Sequence, residues 1–265
     1  MGLREELNQR ISDLEIPFDQ AGFDPYGMSR EHLRKVGLAC GVAARSYFRV
    51  EAFGVENVPD TGRAMLVANH SGGYGLDAAM LAASVFWEKT PPRLAQGMAD
   101  KFLGKLPVAS AWTHRIGQLT GLPQHARRLL EDERLLMVFP EGVRGTAKLF
   151  GQRHSLVRFG TGFMRLALST GTPIVPVGIV GCGEAVPTVA NLRWLGKLVG
   201  LPYIPITYYG IAAPLPVKMR FHFGKPFYFE GGNQLEDRAV EDYVEQVRGE
   251  IRNLIAQGAR EYNWR

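Results

Sequence analysis

The stretch VANHSGGYGLDAAML, residues 67–81, places His70 and Asp77 on either side of a gap holding three glycines. An imidazole titrates near neutral pH, so it can take a proton from a hydroxyl. A carboxylate on its other ring nitrogen would orient it and stabilise the imidazolium as it forms. Such a pair needs contact, whereas residues seven apart on a continuous helix share a face but lie roughly 10 Å apart along the axis. The segment must therefore bend, and Gly72, Gly73 and Gly75 supply the backbone freedom. Two plainer readings stand beside this one. His70 can be a loop histidine bonded to backbone, and Asp77 can be an acid favoured in a helix's first turn by the dipole. Ser71 is a poor nucleophile candidate, because Asn69 stands where G-x-S-x-G needs its first glycine.

A second polar loop follows the apolar run LLMVF, in PEGVRGTAK, residues 140–148. The guanidinium fork of Arg144 suits bidentate recognition of a phosphate. Glu141 beside it could hold the fork or accept substrate hydroxyls, and a simple surface ion pair is the alternative. Other phosphate-binding patterns are absent. The chain has no G-x-x-x-x-G-K-[ST], and GCGEAV at 181–186 lacks the third glycine of the dinucleotide fingerprint.

Both loops require a scaffold that brings strand ends together. From residue 49 the pattern alternates. RVEAF, AMLVA, RLAQGMA, LLMVF, PIVPVGIVG and VKMRFHFG read as strands. LDAAMLAASVFWEK, QHARRLLEDE, RFGTGFMRLALSTG and a closing segment with Val240, Val244, Val247, Ile251 and Leu254 at helical spacing read as helices. Such alternation predicts a single α/β domain with a largely parallel central sheet flanked by helices, its chemistry at the carboxyl edge of the strands. Residues 49–265 form that domain in this reading. Residues 1–48 form an N-terminal extension: a turn-rich surface segment, then a helix capped by Ser29 whose apolar positions fit either the core or a membrane surface.

The formal charge of +5 is spread along the chain with no basic block, so no nucleic-acid partner is expected. A diffuse basic surface suits anionic headgroups or phosphorylated small molecules. Cys40 and Cys182 are far apart, without disulfide or zinc spacing, and a reducing compartment is the default. No apolar run approaches the roughly 20 residues of a bilayer span. The segment NLRWLGKLVGLPYIPITYYG, residues 191–210, is aromatic and apolar, but its glycines and prolines preclude a spanning helix. It reads as a membrane-contacting patch or as core.

Four blocks in order, GVENVPDTG, NHSGG, FPEGVRG and GTPIVPVGI, resemble those of the glycerolipid acyltransferase family, the 1-acylglycerol-3-phosphate acyltransferase-like enzymes. The resemblance spans most of the chain. It implies an α/β fold like that of the glycerol-3-phosphate acyltransferases. It also implies transfer of a fatty acyl group from acyl-CoA or acyl carrier protein to a hydroxyl of a lysophospholipid or related glycerolipid, without a cofactor or metal, at the cytoplasmic surface of a membrane. His70 then resembles the catalytic base and Asp77 its orienting carboxylate, while Glu141, Gly142 and Arg144 match the acceptor-binding block. Two departures stand out. The family's histidine and aspartate are usually spaced H-x4-D, against H-x6-D here, and its intervening arginine block is represented only by Arg115 in RIGQLTG. The departures leave room for another lipid hydroxyl as acceptor, for a noncatalytic lipid-binding member of the fold, or for a thioesterase.

Overall fold

A computed structural model describes residues 2–72, 75–99, 113–198, 200–210 and 213–262. Helix α1 (Leu3–Ser12) leads to α2 (Arg30–Val42), whose Ser29 cap accepts from the His32 amide, and α2 ends in a wide turn of π-helix, Ala43–Tyr47. Then come β1 (Glu51–Phe53), β2 (Ala64–Ala68), α3 (Leu76–Glu88), β3 (Ala95–Ala99), β4 (Leu119–Thr120), α4 (Pro123–Glu131), β5 (Leu135–Val138), α5 (Val143–Thr146), α6 (Gly162–Thr170) and β6 (Ile174–Val180). The chain continues through α7 (Cys182–Ala185), β7 (Thr188–Leu192), α8 (Arg193–Leu198), β8 (Ile204–Thr207), β9 (Arg220–Phe223) and α9 (Asp237–Arg260).

Among the described residues, seven strands form the main sheet in the order β1-β9-β6-β2-β5-β3-β4. Strands β6, β2, β5, β3 and β4 run parallel, whereas β9 is antiparallel to β6, and β1 follows the direction of β9. The expected largely parallel sheet flanked by helices is therefore present. Strands covered on both faces read as unbroken apolar runs, and the burial of every residue in β2 and β6 follows that rule. Side chains alternate between faces. Ala64, Leu66 and Ala68 join the core under α1, α2 and α3, while Met65 and Val67 join the core under α4, α6 and α9.

The N-terminal segment departs from the expected surface placement. Leu7, Ile11, Leu14 and Met28 are buried in the same cluster as Leu66 and Leu81. Leu7 and Ile11, four apart on α1, present one apolar stripe to the domain, which is enough to dock a short helix. The described residues of 191–210 form neither simple core nor a continuous helix. They belong to a separate two-stranded hairpin, β7 with β8, with α8 at its turn.

Candidate active site

His70 follows β2 by two residues and Glu141 follows β5 by three. These strands are adjacent and parallel, with Val67 opposite Val138, so both loops leave the same carboxyl edge. Asn69 closes the end of β2. Its side chain donates to the Ile179 carbonyl (3.0 Å) and accepts from the Ile179 amide (2.7 Å), replacing the next ladder pair to β6. His70 is thereby the first residue free to turn outward.

The gap between His70 and Asp77 folds back. Gly72 and Gly75 hold φ of +73° and +68°, and Gly75 caps α3, so Asp77 lies in that helix's first turn facing the loop it has just left. His70 Nδ1 is 2.5 Å from Asp77 Oδ2, which also accepts the Ser71 amide at 2.8 Å, while Oδ1 accepts the Ala78 amide at 2.9 Å. Asp77 is fully buried. A carboxylate on Nδ1 selects the tautomer with its proton there, leaving the lone pair on Nε2. Among the described residues Nε2 has no hydrogen-bond partner, and the imidazole, stacked on Phe139 with ring centroids 4.4 Å apart, keeps 16% of its side-chain surface exposed. The arrangement leaves an unpaired nitrogen on a partly exposed ring and holds that ring from behind.

Glu141 is not an exposed partner of Arg144. Its buried carboxylate accepts the backbone amides of His70 and Val157, each at 2.8 Å, and the Lys148 ammonium at 2.9 and 3.0 Å. Lys148 donates further to the Ser155 carbonyl. Burial lowers the Lys148 pKa from its ordinary value, and Glu141 opposes that shift. The Glu141 oxygens are turned inward to brace the His70 loop, because an unpaired carboxylate cannot be buried cheaply. Gly142 takes φ of +57° in the turn into α5, and its neighbour Arg144 is exposed, donating to the Arg158 carbonyl at 3.4 Å. Arg144, Lys148, Gln152, Tyr203 and Arg193 line one cavity beside this turn. Arg115 is not among its lining residues; its guanidinium lies over the Phe23 ring. Among the described residues no cluster of three or more His, Cys, Asp or Glu could hold a metal ion.

An acyltransferase family model matches residues 49–180, the span from β1 through β6 that carries both loops. The chain belongs to this acyltransferase family. An uncharacterized protein of Mycobacterium leprae is 38% identical over 94% of this chain and 69% of its own length. A human protein, the DGAT1/2-independent enzyme synthesizing storage lipids, is 26% identical over 79% of this chain and 62% of its own length. The chain thus spans about two thirds of these relatives. The crystal structure of the 1-acyl-sn-glycerophosphate acyltransferase PlsC from Thermotoga maritima shares the fold, with a TM-score of 0.54 at 19% identity, over 84% of this chain and 79% of that one.

Three residues of this candidate site escape the sequence reading. Asn69 shows there only as the residue that spoils a nucleophile elbow. Gly145 stands in FPEGVRG at the serine position of the family's FPEG-T-R-S block, and a Cβ there would meet His70 Cβ at 2.6 Å and Glu141 Cβ at 2.7 Å. Its glycine identity was the available signal, since a glycine inside a short helix often marks a close approach. Arg193 has no spacing relation to Arg144, and only the docking of the hairpin brings it to the same cavity.

Proposed function

We propose that the protein transfers a fatty acyl group from an acyl thioester, acyl-CoA or acyl carrier protein, to a hydroxyl of a lysophospholipid or related glycerolipid. The observation that carries this reading is the buried Asp77 carboxylate on His70 Nδ1, with Nε2 unpaired among the described residues. Nε2 takes the proton of the acceptor hydroxyl as its oxygen forms a bond to the thioester carbonyl carbon. The carbonyl pair moves onto oxygen, then returns and expels the thiolate, which takes the proton back from Nε2. The products are an ester and a free thiol, and the enzyme is unchanged. General-base catalysis of this kind contributes roughly 10²–10⁴-fold. The Gly72 amide has no acceptor among the described residues and in this reading donates to the developing oxyanion; the adjacent Gly73 lies outside those residues.

No enzyme nucleophile is invoked. Cys182 is fully buried, and burial, with the Asp77 and Glu184 charges, raises its thiol pKa well above the ordinary value. Its thiolate is not available. Arg144 and Arg193, both on the cavity wall, are suited to an acceptor's phosphate and would hold its hydroxyl near His70. Glu141 and Gly142 act in this reading by shaping the loop.

A second reading, acylation of a neutral acceptor such as diacylglycerol, draws support from the human storage-lipid relative. One experiment separates the two. Purified protein is incubated with labelled acyl-CoA or acyl carrier protein and either lysophosphatidic acid or diacylglycerol, with His70→Ala and Arg144→Ala in parallel. The first reading expects His70→Ala to lose transfer by at least about a hundredfold, and Arg144→Ala to raise KM for the phosphorylated acceptor alone. Full activity in His70→Ala would refute the mechanism. Transfer only to diacylglycerol would install the second reading, release of free fatty acid alone would make the protein a thioesterase, and no turnover at all would favour a lipid-binding role.

A further inference from the structure

Apart from Arg193, the hairpin of β7, α8 and β8 takes no part in the proposed chemistry, yet large exposed apolar side chains gather on and around it. Trp194 is 65% exposed, Leu198 74% and Tyr208 71%, with Val189 and Leu149 also exposed. The exposure of the tip is built in. Gly196 is pressed against the backbone of Leu201 and Tyr203, where a Cβ would lie 2.6–2.8 Å from their atoms. Trp194 and Leu198, each two residues from Gly196, therefore project from the opposite side of α8. Arg193 and Lys197, four apart, run beside them along one side of the helix. Residues 185–229 contain no aspartate or glutamate, so nothing in the hairpin offsets those cations. Tryptophan and leucine between basic residues are the composition of an interfacial anchor.

The hairpin is also fastened to the proposed acceptor loop. Tyr203 and Thr146 hydroxyls are 2.5 Å apart, Asn191 donates to the Ala147 carbonyl at 2.7 Å, and Tyr208 packs edge-on against Phe150. Arg193 sits at the start of α8 and on the wall of the Arg144 cavity. We infer that this hairpin is the membrane-docking element, inserting Trp194 and Leu198 into the interface of an anionic bilayer with Lys197 on its headgroups. A headgroup drawn from that leaflet then has a short path past Arg193 into the cavity. The purpose of this contact rests on the proposed lipid acceptor, but the contact itself is testable without turnover.

The test is flotation of the full chain with vesicles of phosphatidylcholine alone or mixed with phosphatidylglycerol. Wild type is expected to bind the anionic vesicles. Trp194→Ala with Leu198→Ala should lower that binding roughly tenfold or more, and Lys197→Gln about fivefold, while Tyr228→Ala, equally exposed elsewhere, leaves it unchanged. Circular dichroism and an unchanged Tm establish that the variants fold. Wild-type levels of binding by the double variant, or an equal loss in Tyr228→Ala, overturns the inference. So does failure of wild type to bind vesicles, including the case in which acyl carrier protein binds through Trp194 and Lys197 instead. Acyl transfer to detergent-dispersed acceptor is measured on the same samples. Docking without transfer refutes the proposed reaction and keeps the docking element, and transfer with unaltered docking in the double variant does the reverse.

Discussion

Asp77→Asn preserves the volume of the buried side chain but replaces the acceptor that selects the Nδ1–H tautomer of His70. A neutral amide can present its N–H instead, which would move the imidazole proton to Nε2 and remove the base. The expected outcome is a fall in kcat of roughly 10²–10⁴-fold with little change in KM, measured by steady-state transfer from labelled acyl-CoA. Gly145 makes a second prediction at this scale. Restoring the family's serine there sets a Cβ against His70 and Glu141, and both belong to loops tied at their ends. Gly145→Ser is expected to cost about 1–3 kcal/mol of stability and to lower kcat as well, read from denaturant unfolding beside the transfer assay. The identities of His70, Asp77 and Arg144 as candidates were legible from residue type and local context. The role of Glu141 was not, because its inward orientation depends on Lys148 and on the amides of His70 and Val157, which no local pattern reports.

At the scale of elements, the site is an agreement between neighbouring strand ends. Lys148 and Glu141 couple the loop after β5 to the loop after β2. Lys148→Met would leave a carboxylate buried without its counter-charge, and removal of one partner of such a pair typically costs about 3–5 kcal/mol. A corresponding drop in unfolding free energy is expected in urea titration; a change within experimental error would show that Glu141 is held by its amide donors alone. The hairpin is attached more lightly. Tyr203→Phe removes the hydroxyl contact to Thr146 at a cost of about 0.5–1.5 kcal/mol, and it should raise KM for a phosphorylated acceptor more than it lowers kcat. Strands β2, β5 and β6 and helices α3 and α9 were readable from period and apolar content. The two-residue β4 was too short to show a period, and the docking of α1 rests on a stripe of few residues.

For the whole molecule, acid should loosen the fold where buried carboxylates are held ionised. Burial pushes the Glu184 carboxyl upward, but His154 at 2.7 Å and Arg153 at 2.8 Å outweigh that and leave it below the ordinary value of 4.5. A depressed carboxyl pKa contributes stability that is complete above 4.5 and is lost as pH falls through the lower native value. Tm of the wild type is expected to decline below about that pH, and Glu184→Gln should be less stable at neutral pH with a flatter acid profile, both measured by calorimetry. That cluster fastens the segment after α5 to the loop after β6, so its loss reaches the site through the scaffold. The sequence by itself determined the α/β alternation, the buried strands and the edge at which NHSGG and FPEGVRG emerge, because each depends on periods and runs within a few residues. Only the tertiary structure decided that Asp77 returns to His70, that Glu141 faces Lys148 rather than Arg144, and that Arg193 joins Arg144. Those outcomes depend on left-handed glycines acting together and on segments distant in sequence packing against one edge, where contact is set by the whole sheet.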